Sequence, residues 1–405
     1  MANTLSVIDM VARESLRLAH EKATFIRTTT RSYDDSFAKT GGKIGSTLRV
    51  RDPNQYTRRQ GSRVMDVQDS VETTQTITVA TQDGVDMRFN SAELSLSIDE
   101  LSARYIEPAM ASLMSGIDSD FITQATRDTY NVVGTPGTVV GASSDITALG
   151  NARARLNQGL APKDNNRAIQ LDSITMASIV NGNKALFLPG DQIKEAFVEG
   201  FYARSAMADF YENERTYVHT VGSDVTVSTS ATAAVTDGGT NITMNSTDGN
   251  INKGDVFTVA GVYACHPETK QSLGYLQQFV ATAASTGAVT VSPATILTGA
   301  RQNVCSSTST TLATTAFNSQ VLTFVGSAST SYRQNLMYHK EAFAFVTADL
   351  PIMDDASKCV RRMQDGISLR VWQASDIRND EMLMRIDILY GFKTLRPAWA
   401  CRITN

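Results

Sequence analysis

Apolar residues recur every three or four positions through residues 97–130, which is the spacing of one face of an α-helix. A first row comprises Ile98, Leu101, Tyr105, Ala109, Leu113, Ile117 and Phe121, and a second row comprises Ile106, Met110 and Ile122. Two adjacent rows form a stripe suited to packing against a sheet. Pro108 lies inside this pattern, and proline is tolerated in the first turn of a helix. The pattern therefore predicts a short helix and then a long one from about residue 108 to about 130, roughly 34 Å long at 1.5 Å per residue.

Other stretches also have helical spacing. Residues 3–22 place five apolar side chains near one face: Leu5, Ile8, Val11, Leu16 and Ala19. This helix either packs on its own domain or is an arm that docks on a neighbouring subunit, since the polar residues 28–39 that follow lack core-building periodicity. Further helices are predicted over 145–158, 173–180 and 191–200, with a short strand at 167–171.

Residues 43–90 change to short extended segments. The spacing predicts strands at 46–50 and 73–80, a turn at 52–54, and a second turn at Asp83-Gly84 that leads into 85–89. Five arginines fall in this stretch: Arg49, Arg51, Arg58, Arg59 and Arg63. A charged hairpin with so little apolar content has no evident core of its own. Its arginines are therefore either a solvated face or a loop whose charges pair with another subunit.

The composition shifts at about residue 220, where Thr, Ser, Val, Ala and Gly begin to dominate. Short strands are predicted at 224–228, 241–244, 255–260, 276–283 and 288–292, as in a small β-sandwich or barrel. After residue 331 the earlier mixture returns, with strands predicted at 342–347, 367–374 and 382–390. The last of these is nearly continuously apolar and is therefore expected to be central in its sheet. The chain is thus α+β, with an all-β segment inserted into one parent fold.

The overall composition is that of a soluble globular protein, with 42% apolar and 19% charged residues. A net charge of −4 argues against a dedicated nucleic-acid binder. The first twenty residues lack a signal-peptide pattern, and no apolar run is long enough to span a bilayer. Cys265, Cys305, Cys359 and Cys401 lie far apart in sequence, which favours reduced thiols in a cytosolic protein.

No catalytic or metal-binding motif is evident. Gly41-Gly42-Lys43 lacks the spacing of a phosphate-binding loop, and the His-x-Glu of His266 to Glu268 lacks the PCxxC partner of zinc deaminases. His20, His219 and His339 stand alone in sequence, as structural histidines do. We therefore predict no catalytic residue, no cofactor-binding residue and no metal ligand, and interpret the chain as a protein that is not an enzyme.

Two segments near the end carry a resemblance to a known family. YHKEAFAFVTADLP at 338–351 and RIDILYGFKTLRPAWACRI at 385–403 resemble the closing segment of tailed-bacteriophage major capsid proteins. The nearest similarity is to the coat proteins of short-tailed phages that carry an inserted domain. Three further stretches resemble the same family in the same order: TRSYDDSFAKTGGKIGSTLRVRDP, YIEPAM and GDVFTVAGVYA.

The resemblance implies an α+β Hong Kong 97-like capsid fold. Its parts would be an N-terminal arm at 1–42, an extended β loop at 43–90, a peripheral domain with a long spine helix at 91–190, an axial domain with closing strands at 191–220 and 331–405, and an inserted β-barrel or sandwich domain at 221–330. Arg49, Arg51, Arg58, Arg59 and Arg63 would then contact a neighbouring subunit. Because Lys43 is the only lysine of the loop, the lysine–asparagine cross-link of some members is not expected.

The implied function is a major capsid protein that self-assembles into an icosahedral shell around double-stranded phage DNA. A scaffolded precursor shell would expand on packaging. The implied partners are other copies of the chain in hexamers and pentamers, a scaffolding protein, a portal protein and non-specifically bound DNA, with no membrane. Assembly would take place in the host bacterial cytoplasm, and the product would be the virion capsid.

Three other classes stay open, of which an unrecognised enzyme would need a polar pocket with perturbed titratable groups. A bacterial nanocompartment shell shares the fold but normally lacks an inserted β domain. A phage tail or adhesin-like β protein would account for the Ser/Thr-rich segment but leaves the long helix unexplained.

Overall fold

The computed structural model describes most of the chain. The described residues are 7–31, 47–58, 61, 65, 67, 72–90, 102–141, 147–183, 204–205, 208–223, 225, 231–245, 251–284, 287–353, 358–376, 378 and 381–405. Among them, no helix is both long and apolar enough to cross a membrane. The helix predicted at 191–200 lies beyond these ranges, as do Ile98 and Leu101.

The described residues contain five α-helices and twenty strands. The helices are α1 (Val7–Lys22), α2 (Thr24–Thr28), α3 (Glu107–Asp128), α4 (Thr147–Gln158) and α5 (Ser173–Asn183). The strands are β1 (Thr47–Arg51), β2 (Thr74–Thr78), β3 (Thr81–Asn90), β4 (Val132–Val133), β5 (Arg167–Leu171), β6 (Arg204–Ser205), β7 (Ala208–Glu212), β8 (Tyr217–Thr220), β9 (Gly239–Thr243), β10 (Val256–Cys265), β11 (Ser272–Ala281), β12 (Ala288–Thr295), β13 (Val304–Cys305), β14 (Leu322–Phe324), β15 (Ser331–His339), β16 (Phe343–Ala348), β17 (Lys358–Gln364), β18 (Ile367–Asp376), β19 (Glu381–Thr394) and β20 (Ala400–Thr404).

The chain divides into two compact units. The first takes the described residues of Met1–Arg51, Thr74–Phe121 and Phe343–Leu395, and the second takes those of Asp52–Thr73, Ile122–Ala342 and Arg396–Asn405. The first unit is built around antiparallel sheet, the second contains one mixed and one antiparallel sheet, and α3 contributes residues to both.

A five-stranded antiparallel sheet forms the centre of the first unit. Its order is β16-β19-β18-β17, and β3 pairs with β19. β19 pairs along its length with three strands, β3, β18 and β16, so the prediction that it is central is confirmed. Its run from Ile386 to Tyr390 is fully buried, which explains why the sequence there does not alternate.

The turn predicted at Asp83-Gly84 is wrong. β3 runs through both residues and pairs with β19 from Thr81 to Asn90, with Gly84 opposite Asp387. A Cβ atom on Gly84 would lie 2.6 Å from Asp387 Oδ1 and 2.7 Å from the backbone oxygen of Ile386. The glycine is therefore required by a close approach within the sheet.

Asp387 is the buried acid at this point of the sheet. Its carboxylate accepts hydrogen bonds from Arg370 Nη2 and Arg385 Nε, both at 2.6 Å. The Arg370 side chain is buried and also donates to the backbone oxygen of Pro351 at 3.1 Å. Arg385 is half exposed, and its hydrogen bond to Asp387 raises the pKa of its guanidinium. Of the two ion pairs that Asp387 forms with arginine here, Arg370–Asp387 is the one in which both side chains are buried.

The long helix α3 confirms the main prediction of the periodicity. It begins at Glu107, directly after a π-helical turn at Ser102–Ile106, so Pro108 lies in its first turn as expected. It ends at Asp128 rather than near Tyr130. Six of the predicted apolar positions are buried: Ile106, Met110, Leu113, Ile117, Phe121 and Ile122.

Asp118 is a fully buried acid on α3 that the apolar pattern did not reveal. Its Oδ1 accepts the backbone N–H groups of Phe25 and Ile26, each at 3.0 Å, and its Oδ2 accepts the hydroxyl of Thr24 at 3.0 Å. These N–H groups form the first turn of α2, which has no side-chain cap from its own preceding residue. The carboxylate of α3 therefore caps α2 and fastens it to the long helix.

The helix α1 buries its predicted apolar face within the same unit. Val11, Leu16 and Ala19 are at most 3% exposed, and α1 packs against β17 and β18. Arg362 on β17 forms an ion pair of 3.1 Å with Asp9. The role of residues 1–42 as an inter-subunit arm stays a prediction.

A seven-stranded sheet forms one part of the second unit. Its order is β4-β20-β15-β5-β7-β6, and β8 pairs with β15. The predicted strand at Arg167–Leu171 is confirmed, as is the helix α4, which packs Leu149, Ala152 and Leu156 into the core of this sheet. The helix predicted at 173–180 is also confirmed, although it continues to Asn183.

A six-stranded antiparallel sheet forms the other part. It contains strands β9 to β14 in the order β13-β10-β11-β12-β9, with β14 beside β10. Its own apolar core includes Phe257, Phe279 and Phe317, whose side chains are fully buried. The strands predicted at 241–244, 255–260, 276–283 and 288–292 are confirmed, whereas 224–228 falls mostly in the part that is not described.

Candidate assembly surface

The hairpin of β1 and β2 has two chemically different faces. The strands pair antiparallel, with Leu48 opposite Ile77 and Val50 opposite Gln75 on one face. Alternation puts Arg49 and Arg51, opposite Thr76 and Thr74, on the other face. The hairpin therefore presents one apolar face and one face of arginine and threonine.

The apolar face is anchored on the five-stranded sheet. Val50 and Ile77 belong to a buried cluster with residues of β16 and β19, including Val346 and Leu389. Gln75 Nε2 donates to the Leu395 oxygen at 2.6 Å, and Lys393 Nζ donates to the Thr76 oxygen at 2.9 Å. The expectation that this hairpin has no core is thus corrected at its base, because its apolar side chains are buried by the rest of the first unit.

Gly391 sets how closely the hairpin approaches the sheet. A Cβ atom at this position of β19 would lie 2.2 Å from the backbone oxygen of Thr78 and 3.0 Å from Val79 Cα. Contacts this short with backbone atoms cannot be relieved by rotating a side chain. Only glycine therefore permits the observed packing.

We expect Gly391→Ala to lower the free energy of unfolding of the subunit by about 1–3 kcal/mol, because β2 must move away from β19. Urea denaturation of the unassembled subunit measures this loss, and hydrogen exchange should locate it at β1 and β2. Gly116→Ala on α3 is the matched control, since nothing lies within 4 Å of its added Cβ atom. Equal effects of the two substitutions would contradict this account of Gly391.

Three of the five predicted interface arginines are described. Arg49, Arg51 and Arg58 are all exposed, and Arg49 and Arg51 share the outer face of the hairpin. Arg59 and Arg63 lie outside the described residues. Their assignment to a subunit contact stays a prediction.

Large apolar residues lie close to these arginines in the sequence. Tyr56, Met65 and Val67, in the connection between β1 and β2, are 60%, 79% and 74% exposed. They were not singled out from the sequence, although large apolar residues in a largely polar stretch were a usable signal. Exposed apolar groups of this size beside charged residues are typical of protein–protein contacts.

A buried polar network lies where the six-stranded sheet meets the rest of the second unit. His219 Nε2 is 2.7 Å from Asp255 Oδ1, and Asp255 also accepts the backbone N–H groups of Gly222 and Asn252. Arg402 donates to the backbone oxygens of Gly254 and Arg127 at 2.7 and 3.0 Å. Burial lowers the pKa of Arg402 to about 10, which leaves it protonated at neutral pH. The network joins β8, the turn before β10, β20 and the end of α3, and its role is structural.

Two further histidines singled out in the sequence, His266 and His339, also form hydrogen bonds that stabilise the fold. His266 Nδ1 accepts the backbone N–H groups of Glu268 and Thr269, and thereby closes a turn. His339 Nε2 is 3.0 Å from Asp164 Oδ1. Across the described ranges, no group of three or more His, Cys, Asp or Glu side chains is placed to hold a metal ion.

Comparison with known proteins identifies the class. The family model "P22 coat protein - gene protein 5" matches residues 66–401. A structure from Mycobacterium phage Che8 has a TM-score of 0.50 at 10% identity, over 94% of this chain and 90% of that chain. The capsid structure of the cyanophage P-SCSP1u has a TM-score of 0.44 at 10% identity, over 90% and 84%. The mature capsid of bacteriophage PhiM1 has a TM-score of 0.43 at 10% identity, over 92% and 83%. No match was found among curated protein sequences.

The fold is thus the α+β fold of tailed-phage capsid proteins, as expected from the sequence. The chain belongs to the P22 coat protein family. It is a major capsid protein of a virion, and its copies assemble into an icosahedral shell. The nanocompartment and tail-protein alternatives are not favoured.

Proposed function

We propose that the extended loop of residues 43–90 holds neighbouring subunits of the shell together. Arg49, Arg51, Arg58, Arg59 and Arg63 would pair with acidic groups of the neighbour, while Tyr56, Met65 and Val67 would be buried against it. The observation that carries this proposal is the contrast between the two parts of the loop. Its base is anchored by buried apolar residues, whereas its connection exposes large apolar side chains in a stretch that also contains arginines.

The energetics favour this assignment. A large apolar side chain that becomes fully buried contributes about 1.5–3 kcal/mol. Arginine is enriched at such contacts because its planar guanidinium can bind a carboxylate through two hydrogen bonds. The apolar residues would therefore supply most of the affinity, and the arginines would set the register between subunits.

We expect the double variant Met65→Ser/Val67→Ser to fold normally but to assemble poorly. Losing two buried side chains weakens each contact by at least about 3 kcal/mol, which is roughly a hundredfold in the association constant. Sedimentation and negative-stain microscopy, at equal subunit concentration, measure the fraction of protein in shells.

Ile174→Ser is the matched control, because Ile174 is 69% exposed but lies on α5, far from the loop in sequence. Arg58→Glu tests the charged residues, with exposed Arg104→Glu as its control. Normal shells from both loop variants would overturn the proposal. A shift in the urea midpoint of either would show that the loop serves the fold of the subunit instead.

The wider assembly cycle is inferred from family membership. We infer that subunits form hexamers and pentamers in the bacterial cytoplasm, on a scaffolding protein and around a portal protein. The precursor shell would then expand as double-stranded DNA is packaged, through shifts between discrete arrangements of packed elements. The net charge of −4 suits a wall that contacts DNA only non-specifically.

We further infer that residues 221–330 form a domain inserted into the parent fold. The strands on either side of it, β8 and β15, pair directly, with Thr220 opposite Ser331. The chain thus leaves and re-enters the seven-stranded sheet at adjacent positions, and the six-stranded sheet has its own core. The arm at 1–42, the peripheral domain at 91–190 and the axial domain at 191–220 and 331–405 are proposed from the family. A purely structural role without catalysis or cofactor completes the proposal.

A further inference from the structure

Cys265 and Cys305 are far apart in sequence but adjacent in the six-stranded sheet. They lie on the antiparallel strands β10 and β13, in which Tyr263 is opposite Cys305 and Ala264 is opposite Val304. The backbone N–H of Cys265 donates to the oxygen of Asn303 at 3.0 Å, which continues this register. Cys265 and Cys305 are therefore diagonal neighbours whose side chains share one face of the sheet.

The sulfur atoms lie close to one another's backbone. Cys305 Sγ is 3.7 Å from the oxygen of Ala264, the residue that precedes Cys265, and 3.8 Å from the oxygen of Tyr263. Each thiol also lies close enough to the other to affect its pKa. Both are buried and both are reduced in this structure.

The surroundings allow slow oxidation. Burial raises the pKa of the Cys265 thiol to about 11 and raises that of Cys305, so both are mostly protonated at neutral pH. The ammonium of Lys270 donates to the backbone oxygens of Pro267 and Ala300 at 2.5 and 2.6 Å. Held there, its charge favours the Cys265 thiolate. The pair should therefore stay reduced during brief exposure and react during long exposure to an oxidant.

We propose that Cys265 and Cys305 form a disulfide within the subunit once the shell passes from the reducing interior of the cell to an oxidising medium. With oxidised glutathione as the oxidant, the Cys265 thiolate attacks a glutathione sulfur and releases one glutathione thiolate. Cys305, losing its proton, then attacks the mixed disulfide at Cys265 and releases the second. Two protein thiols are oxidised and one small disulfide is reduced.

The bond would act at the shortest strand of the six-stranded sheet. β13 contains only Val304 and Cys305, and it is followed by a long segment before β14. Linking Cys305 to β10 would fasten this segment to the centre of the sheet. The expected result is a shell protein that is harder to unfold after release than during assembly.

Peptide mapping without reduction tests the proposal. Shells are incubated with oxidised glutathione and then denatured in the presence of iodoacetamide, which alkylates the remaining free thiols. Trypsin then releases Cys265 in peptide 254–270 and Cys305 in peptide 302–333. We expect one linked species containing both peptides, which separates on reduction. Recovery of both cysteines as alkylated thiols, or of glutathione on Cys265 in the wild-type protein, would overturn the proposal.

Variants and other cysteines supply the controls. Cys305→Ser should abolish the linked species and trap glutathione on Cys265, and a linked species that persisted would contradict the pairing. Half-exposed Cys359 reports that the oxidant is active, whereas Cys401, whose pKa burial raises to about 12, should stay reduced. The same experiment on unassembled subunits distinguishes failure of the thiol pair from failure of assembly.

Discussion

Asp118→Ala is expected to lower the free energy of unfolding of the subunit by about 3 kcal/mol, since it removes a charged acceptor from buried donors. The N–H groups of Phe25 and Ile26 would lose their partner in a site that excludes water. The rings of Phe25 and Phe121, whose centroids are 4.8 Å apart, would lose the anchor that holds α2 on α3. Urea denaturation of unassembled subunits measures the loss.

Asp120→Ala is the matched control for this prediction. Asp120 lies on the same helix two residues later but is exposed, so its removal should change stability by no more than about 0.5 kcal/mol. Asp118→Asn keeps an oxygen acceptor without the charge and should fall between the two. If Asp118→Ala were as stable as Asp120→Ala, the capping role would be wrong.

Asp387→Leu is expected to destabilise the subunit by about 3–5 kcal/mol, because it leaves the charge of Arg370 buried without a partner. Among its described contacts, the guanidinium of Arg370 would keep its hydrogen bond to Pro351 and its position over the Trp372 ring. Arg385→Met should cost less than about 1 kcal/mol, since that side chain is half exposed.

The double variant Asp387→Leu/Arg370→Met tests whether the instability of Asp387→Leu comes from the unpaired buried charge of Arg370. Replacing both charges by apolar groups of similar size should recover most of the stability lost in Asp387→Leu. A double variant as unstable as the sum of the two single variants would show that the charges act independently.

Local periodicity anticipated the elements that bury one continuous face. The stripe of α3, the strands of the six-stranded sheet and the central β19 each carry their pattern in adjacent residues, so they could be read before any contact was known. Of the candidate surface, the arginines of β1 could be read in the same way, whereas Tyr56, Met65 and Val67 were missed. Alternation around Val50 already predicts that Arg49 and Arg51 face away from the core.

Some strands and several polar positions were not anticipated. β17 and β20 were not predicted, because β17 is mostly exposed and β20 is short and lies at the end of the chain. Gly84 was assigned to a turn because glycine is common in turns. The structure requires glycine there for a different reason, which is that the carboxylate of Asp387 on another strand leaves no space for a Cβ atom. The anchoring of the hairpin depends on Gly391, which is far away in the sequence, so it could not be predicted from local patterns either.

The sequence by itself determined the α+β class, the long helix, the β-rich segment after residue 220 and, through the resemblance of its closing segment, the coat-protein family. Only the tertiary structure decided that Asp118 caps α2, that Asp387 pairs with buried Arg370, and that Cys265 lies beside Cys305. Periodicity shows which face of an element avoids water, but it does not show which distant group it meets. A polar residue becomes an anchor only when another part of the chain brings its partner and excludes the solvent.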